Sequence, residues 1–179
     1  MATRAEWLWP GAQAGALPAR ALVLDTNVVL DLLVFADPRT DALRALLAQG
    51  RLCWIATRPM RDELGCVLRY AHLQPRLERH GLRPEDVLAR FDTQTELVDV
   101  APRAPWACKD GDDQKFIDLA AAGRALLLSK DKAVLRLKKR LATLGADVAP
   151  ALVLASIEGD GADFAALQHV FLESSILKT

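Results

Sequence analysis

In "ALVLDTNVVLDLL", which starts at Ala21, an acid and an amide interrupt the most water-avoiding stretch of the chain. A carboxylate buried there without a partner is costly, so Asp25 must sit at an edge or have its charge compensated. Three more acids share its predicament. In "PMRDELGCVL" the apolar stripe runs through Met60, Leu64, Val67 and Leu68, and Glu63 falls on that stripe while Asp62 points away. In "DDQKFIDLAA" the stripe is Phe116, Ile117 and Ala120; Asp113 precedes it by one helical turn, and Asp118 falls on the opposite, wet face. Asp131 follows the apolar run in "LLLSKDK". Gathered at one place, Asp25, Glu63, Asp113 and Asp131 would repel one another, and an oxygen-preferring divalent cation, Mg2+ or Mn2+, resolves that conflict.

The elements that would gather them alternate between strand and helix. "ALVL", "LCWIA" from Leu52, "ELVDV" from Glu96, "ALLLS" and "DVAPALVLA" read as strands. "TDALRALLAQG" is a helix stopped at Gly50, and "RPMRDELGCVLRYAHL" a helix with proline in its first turn. The charged stretch from Gln74 to Glu96 is helical and broken at "HGLRP". "DDQKFIDLAAAG", "KAVLRLKKRLATLG" and "DGADFAALQHVFLE" are further helices. Solidly apolar strands separated by helices predict an α/β fold, a three-layer α/β/α sandwich on a mainly parallel sheet. In such sheets ligands bind beyond the carboxyl ends of the strands, where Asp25 and Asp131 fall.

At 179 residues the chain has the length of one domain. We read residues 1–20 as an N-terminal arm, with Trp7 and Trp9 available to dock, and 21–179 as a single domain. A net charge of zero argues against nucleic-acid binding by bulk charge alone, so such a role would need local basic clusters or metal-mediated contact with phosphate. Three cysteines without CxxC spacing, no secretion signal and no apolar run long enough to span a membrane together suggest a reducing cytoplasm.

Each acid also has a plainer reading. Glu63 and Asp113 could serve the helix dipole, Asp25 a turn or cap, and Asp131 a helix cap. A phosphatase with an aspartate nucleophile would want a second acid two positions on, where Asn27 stands. No GxGxxG or GxxxxGK[ST] loop follows any strand, which disfavours a nucleotide-binding module. A binding or scaffold protein with weak catalysis is the non-enzymatic alternative.

"VLDTNVVLDLL", "RDELGCVLRY" and "DGDDQKFIDLAAAGRALLLSKDKAVL" occur in an order that resembles the PIN-domain proteins, with greatest likeness to the toxin components of bacterial and archaeal toxin–antitoxin systems. The resemblance spans roughly Ala21 to Val153. It implies a compact α/β sandwich and a metal-dependent endoribonuclease acting on single-stranded RNA by direct hydrolysis, leaving a 5′-phosphate. It also implies an antitoxin partner and a homodimer. The family's acids map onto Asp25, Glu63, Asp113 and Asp131, with Asp110 and Asp112 next to the third position. Asn27 and Ser129 fall where small polar residues support the site. The "SKDKAV" turn departs from the pattern, lacking a second acid shortly after Asp131.

Under this reading Asp25 and Asp113 are the principal metal ligands, and Glu63 and Asp131 complete the shell or serve a second ion. The densest basic run is "RLKKR", with Arg136, Lys138, Lys139 and Arg140 as candidates for holding RNA. Arg58, Arg61 and Arg69 are another option. His72, His80 and His169 have no evident place at the acidic edge.

Overall fold

Short, bounded apolar runs become strands because a parallel sheet buries both faces of each one. The computed structural model describes residues 7–9 and 19–154. Its strands are β1 (Trp7–Trp9), β2 (Arg20–Leu24), β3 (Leu52–Thr57), β4 (Glu96–Val98), β5 (Leu126–Leu128), β6 (Asp147–Ala149) and β7 (Leu152–Leu154). The helices are α1 (Thr26–Leu33), α2 (Asp41–Ala48), α3 (Arg58–Val67), α4 (Gln74–Arg79), α5 (Pro84–Gln94), α6 (Gln114–Gly123), α7 (Lys132–Leu135) and α8 (Lys138–Ala142).

Five strands form one parallel sheet in the order β4-β3-β2-β5-β6. The chain steps one way from β2 to β3 to β4, then crosses back to β5 and continues to β6. Right-handed crossovers in opposite directions place their helices on opposite faces, which gives the three-layer sandwich. The switch in direction falls between β2 and β5, whose partners run Leu22 to Leu126 and Leu24 to Leu128. Leu22, Val23, Leu126 and Leu127 are fully buried at the centre of the core.

Three elements depart from the sequence reading. The apolar run after Asp25, to which the sequence reading assigns no element, is helix α1, buried through Val28, Val29, Leu30, Leu32 and Leu33, with Asn27 and Asp31 one turn apart on its less buried side. The helix expected over Lys132–Gly145 is two short ones, broken between Leu135 and Lys138. The fifth strand is split at Pro150 and Ala151. β6 stays in the main sheet, whereas β7 leaves it and pairs in parallel with β1, so the N-terminal segment Trp7–Trp9 is a strand partner. The helix expected over 160–173 lies outside the described residues.

Helix α6 ends as expected at Gly123, but the left-handed residue is Arg124, with φ 47°. Glycine at 123 answers a close approach, since a Cβ there would lie 3.2 Å from Ile55 Cδ1.

Candidate active site

Asp25 leaves the carboxyl end of β2 and caps α1. Its backbone N–H still extends the sheet, donating to the Leu128 carbonyl at 3.0 Å. The side chain is 3 % exposed. The Asn27 backbone N–H donates to Oδ1 at 2.7 Å, and the Ser129 hydroxyl donates to Oδ2 at 2.6 Å. Burial pushes the Asp25 carboxyl above its ordinary range; the bonds from Ser129 and Asn27 oppose that rise, and the charges of Glu63 and Asp131 add to it. Each oxygen keeps an unused lone pair.

Ser129 is fully buried one residue past β5, on the strand neighbouring β2. Its hydroxyl oxygen also accepts the Asp131 N–H at 3.1 Å, so one hydroxyl ties two acids together across the switch point. Asp131 caps α7 by accepting the Ala133 N–H at 2.5 Å. The capping roles considered for Asp25 and Asp131 are thus real, and both acids hold them at the carboxyl edge of the sheet.

Helix α3 starts directly after β3 and carries Glu63 back over the same edge. Glu63 Oε1 accepts the Thr26 hydroxyl at 2.6 Å, and Oε2 forms an ion pair with Lys115 from α6. Asp113 stands at the start of α6 but makes no side-chain cap, and among the described residues no hydrogen bond reaches its carboxylate. Its carboxyl is pushed up to about 6, first by desolvation, then by the charges of Asp25, Asp131 and Asp110, with Lys115 opposing. Asp110 and Asp112 are exposed, and Asp110 is engaged by the Asp112 N–H at 3.0 Å.

Asp25, Glu63 and Asp113 open into one cleft of about 330 Å3, with Thr26 and Asn27 beside them. Asn27 therefore contributes its backbone to Asp25 and an exposed side chain to the cleft. Asp131 is linked to this wall through Ser129 rather than lining it. Among the described residues no three His, Cys, Asp or Glu side chains are clustered tightly enough to form a ready-made metal cage.

Two features of the site run against the sequence reading. Asp118 is half-buried rather than wet: its Oδ1 accepts the Ala104 N–H at 2.8 Å and the Gln114 side-chain amide at 2.7 Å. Gln114, 5 % exposed, also accepts the Cys108 N–H at 2.6 Å and donates to the Trp106 carbonyl at 3.2 Å. This clamp fixes the loop that delivers Asp113. Amide side chains carry no charge signal and no apolar period, so only their spacing of four on one helix could have flagged the pair. Gln114→Ala leaves the Cys108 N–H unsatisfied, and we expect a loss of about 1–2 kcal/mol in chemical unfolding. Faster amide exchange confined to residues 104–113 is the accompanying signature.

His72 is the second correction, because it lines the acidic cleft, with Tyr70, Phe35 and Arg76. The basic run is exposed, with Arg136 just past α7 and Lys138, Lys139 and Arg140 on α8; both helices pack against β6, and none of the four lines the cleft. Arg58 and Arg61 are engaged by Asp62 and Asp92, and Arg69 donates to the Gly65 carbonyl at 3.2 Å.

The family profile described as the PIN domain matches residues 21–133, a span that contains all four acids. Among solved structures, the chain is similar to one titled as the crystal structure of VapBC2 from Rickettsia felis bound to a DNA fragment from their promoter. Identity is 14 % and the TM-score 0.48, over 75 % of this chain and 97 % of that one. No curated protein matches the sequence.

Proposed function

Since this chain belongs to the PIN-domain family, whose members are generally nucleases, we propose that its acidic edge hydrolyses phosphodiester bonds in single-stranded RNA with Mg2+ or Mn2+. The observation that carries this reading is the convergence of Asp25, Glu63 and Asp113 on one cleft at the switch point of the sheet, with Asp131 coupled to Asp25 through Ser129. The donors are all carboxylate oxygens, which suits a hard divalent cation. Asp113, its carboxyl pushed up to about 6 and accepting no hydrogen bond among the described residues, is the group whose charge most needs a counterion.

Asp25 and Asp113 would hold the cation, with Glu63 and Asp131 completing the shell. When bound, the cation neutralises the non-bridging phosphate oxygens and lowers the pKa of a water. The chain's own residues do the positioning. Ser129 and the Asn27 N–H fix the Asp25 carboxylate, the Thr26 hydroxyl orients Glu63, and Lys115 balances the Glu63 charge. The Gln114–Asp118 clamp holds the loop before Asp113.

The likeness of the motifs to toxin components extends the reading to a cytoplasmic homodimer held in check by an antitoxin protein. Three unpaired cysteines and the absence of a membrane-spanning helix among the described residues are compatible with it. The test is incubation of purified protein with a single-stranded oligoribonucleotide, its duplex and the matching DNA, each with Mn2+, Mg2+ or EDTA. We expect cation-dependent cleavage of the single-stranded RNA, with 5′-phosphate ends. Cleavage that persists in EDTA, or products ending in a cyclic phosphate, would overturn the mechanism.

A further inference from the structure

Besides the acids, the lining of the cleft includes residues of different chemistry. α3 and α4 are joined by a turn whose flanks, Leu68 and Leu73, are buried in the core. The turn is closed by the Leu73 N–H donating to the Tyr70 carbonyl at 2.9 Å and by the Gln74 side chain donating to the Leu68 carbonyl at 2.8 Å. Tyr70, the one tyrosine of the chain, is held out of the core between these anchors, at 51 % exposure. Its ring lies 5.7 Å from that of His72, tilted by 43°. Arg76 lines the same cleft, its guanidinium 5.3 Å from the centre of the Phe35 ring. Among the described residues no carboxylate pairs with Arg76.

A single exposed aromatic ring is ordinary on a protein surface. A fixed ring beside a second ring and an arginine free of acid partners, in the same cleft as a phosphodiester-cleaving edge, is a matched set for one kind of ligand. Unpaired bases stack on aromatic faces, and a guanidinium binds phosphate in two-pronged fashion. We infer that Tyr70, with His72 and Arg76, forms a subsite that stacks one unpaired base and holds an adjoining phosphate of the strand cut at the acidic edge. This rests on the nuclease reading and adds to it how the strand is gripped: by base stacking at a defined position, in a chain whose zero net charge supplies no general attraction for the backbone.

The test measures binding apart from turnover. In an Asp25→Asn background, fluorescence anisotropy reports the affinity for a single-stranded oligoribonucleotide and for versions carrying one abasic position moved along it. We expect Tyr70→Ala to weaken the intact strand about tenfold, Tyr70→Trp to restore it, and the tenfold penalty to vanish for one abasic position. Arg76→Ala should weaken intact and abasic strands alike and flatten the salt dependence. Equal effects of Tyr70→Ala on intact and every abasic strand, or no strand binding at all, would overturn the subsite. A groove that instead takes up a peptide partner would give that second result. Tyr70-dependent binding without cleavage by the Asp25 parent protein would leave the subsite standing and remove only the catalytic reading.

Discussion

Replacing Asp25 or Asp113 with asparagine reduces cation-dependent RNA cleavage by at least about a thousandfold, while the protein remains folded. The size follows from the role: a carboxylate holding the cation contributes charge that an amide of equal shape lacks, and losing electrostatic stabilisation at a reacting phosphate costs about two to three orders of magnitude or more. The fold survives for a specific reason. Asp25 is held by donors from Ser129 and Asn27, and an asparagine carbonyl can accept one of those bonds without a buried charge. The Asp113 side chain carries no hydrogen bond among the described residues, so its replacement breaks none. Circular dichroism and unfolding curves beside single-turnover cleavage assays separate lost chemistry from lost structure. Full cleavage by either variant would remove that residue from the site. Ser129→Ala should act in the same direction but less strongly, because it releases one oxygen of Asp25 and the Asp131 N–H while leaving every carboxylate in place.

Thermal stability is the second large effect. Without divalent cation, the melting temperature falls as pH rises from about 4 to about 7, and Mn2+ or Mg2+ reverses the fall above that window. The Asp113 carboxyl titrates at about 6 in the folded protein against an ordinary value of 3.8. A raised carboxyl favours the fold while protonated, so its contribution is present below about pH 4 and is lost as pH rises through about 6. Asp25 is shifted the same way. Asp37 and Asp86, held down to about 2 by Arg39 and Arg83, change stability only in more acid solution and leave this window clear. A cation at about a hundred times its Kd adds about 2.7 kcal/mol, or about 5–10 °C for a domain of this size. The rise should be large at pH 8, small at pH 5, and lost in Asp113→Asn. A melting temperature indifferent to cation at pH 8 would count directly against a metal site here.

Much of the architecture was legible along the chain because its causes are local. Apolar runs bounded by Gly, Pro and charge marked β2, β3, β5 and β6, and their alternation with amphipathic segments implied a parallel sheet with helices on both faces. The placement of Glu63 on an apolar stripe and of Asp113 at a helix start follows from the helical period alone. Where local signals are ambiguous, the reading failed. In α1 the helical period shows only in Asn27 and Asp31, four apart within an eight-residue helix, and nothing within "DVAPALVLA" says that its second half pairs with Trp7–Trp9.

By itself, then, the sequence determined that Asp25 and Asp131 stand just past strand ends, that Glu63 shares an apolar helical stripe and that Asp113 precedes a helix, since those positions depend on neighbours within a few residues. Only the tertiary structure decided that Ser129 reaches Asp25 across 104 positions, that Gln114 and Asp118 pin the loop before Asp113, and that Tyr70, His72 and Arg76 line one cleft with the acids. Those meetings depend on strand order, register and the crossing of helices over the sheet edge, and no window of sequence contains them.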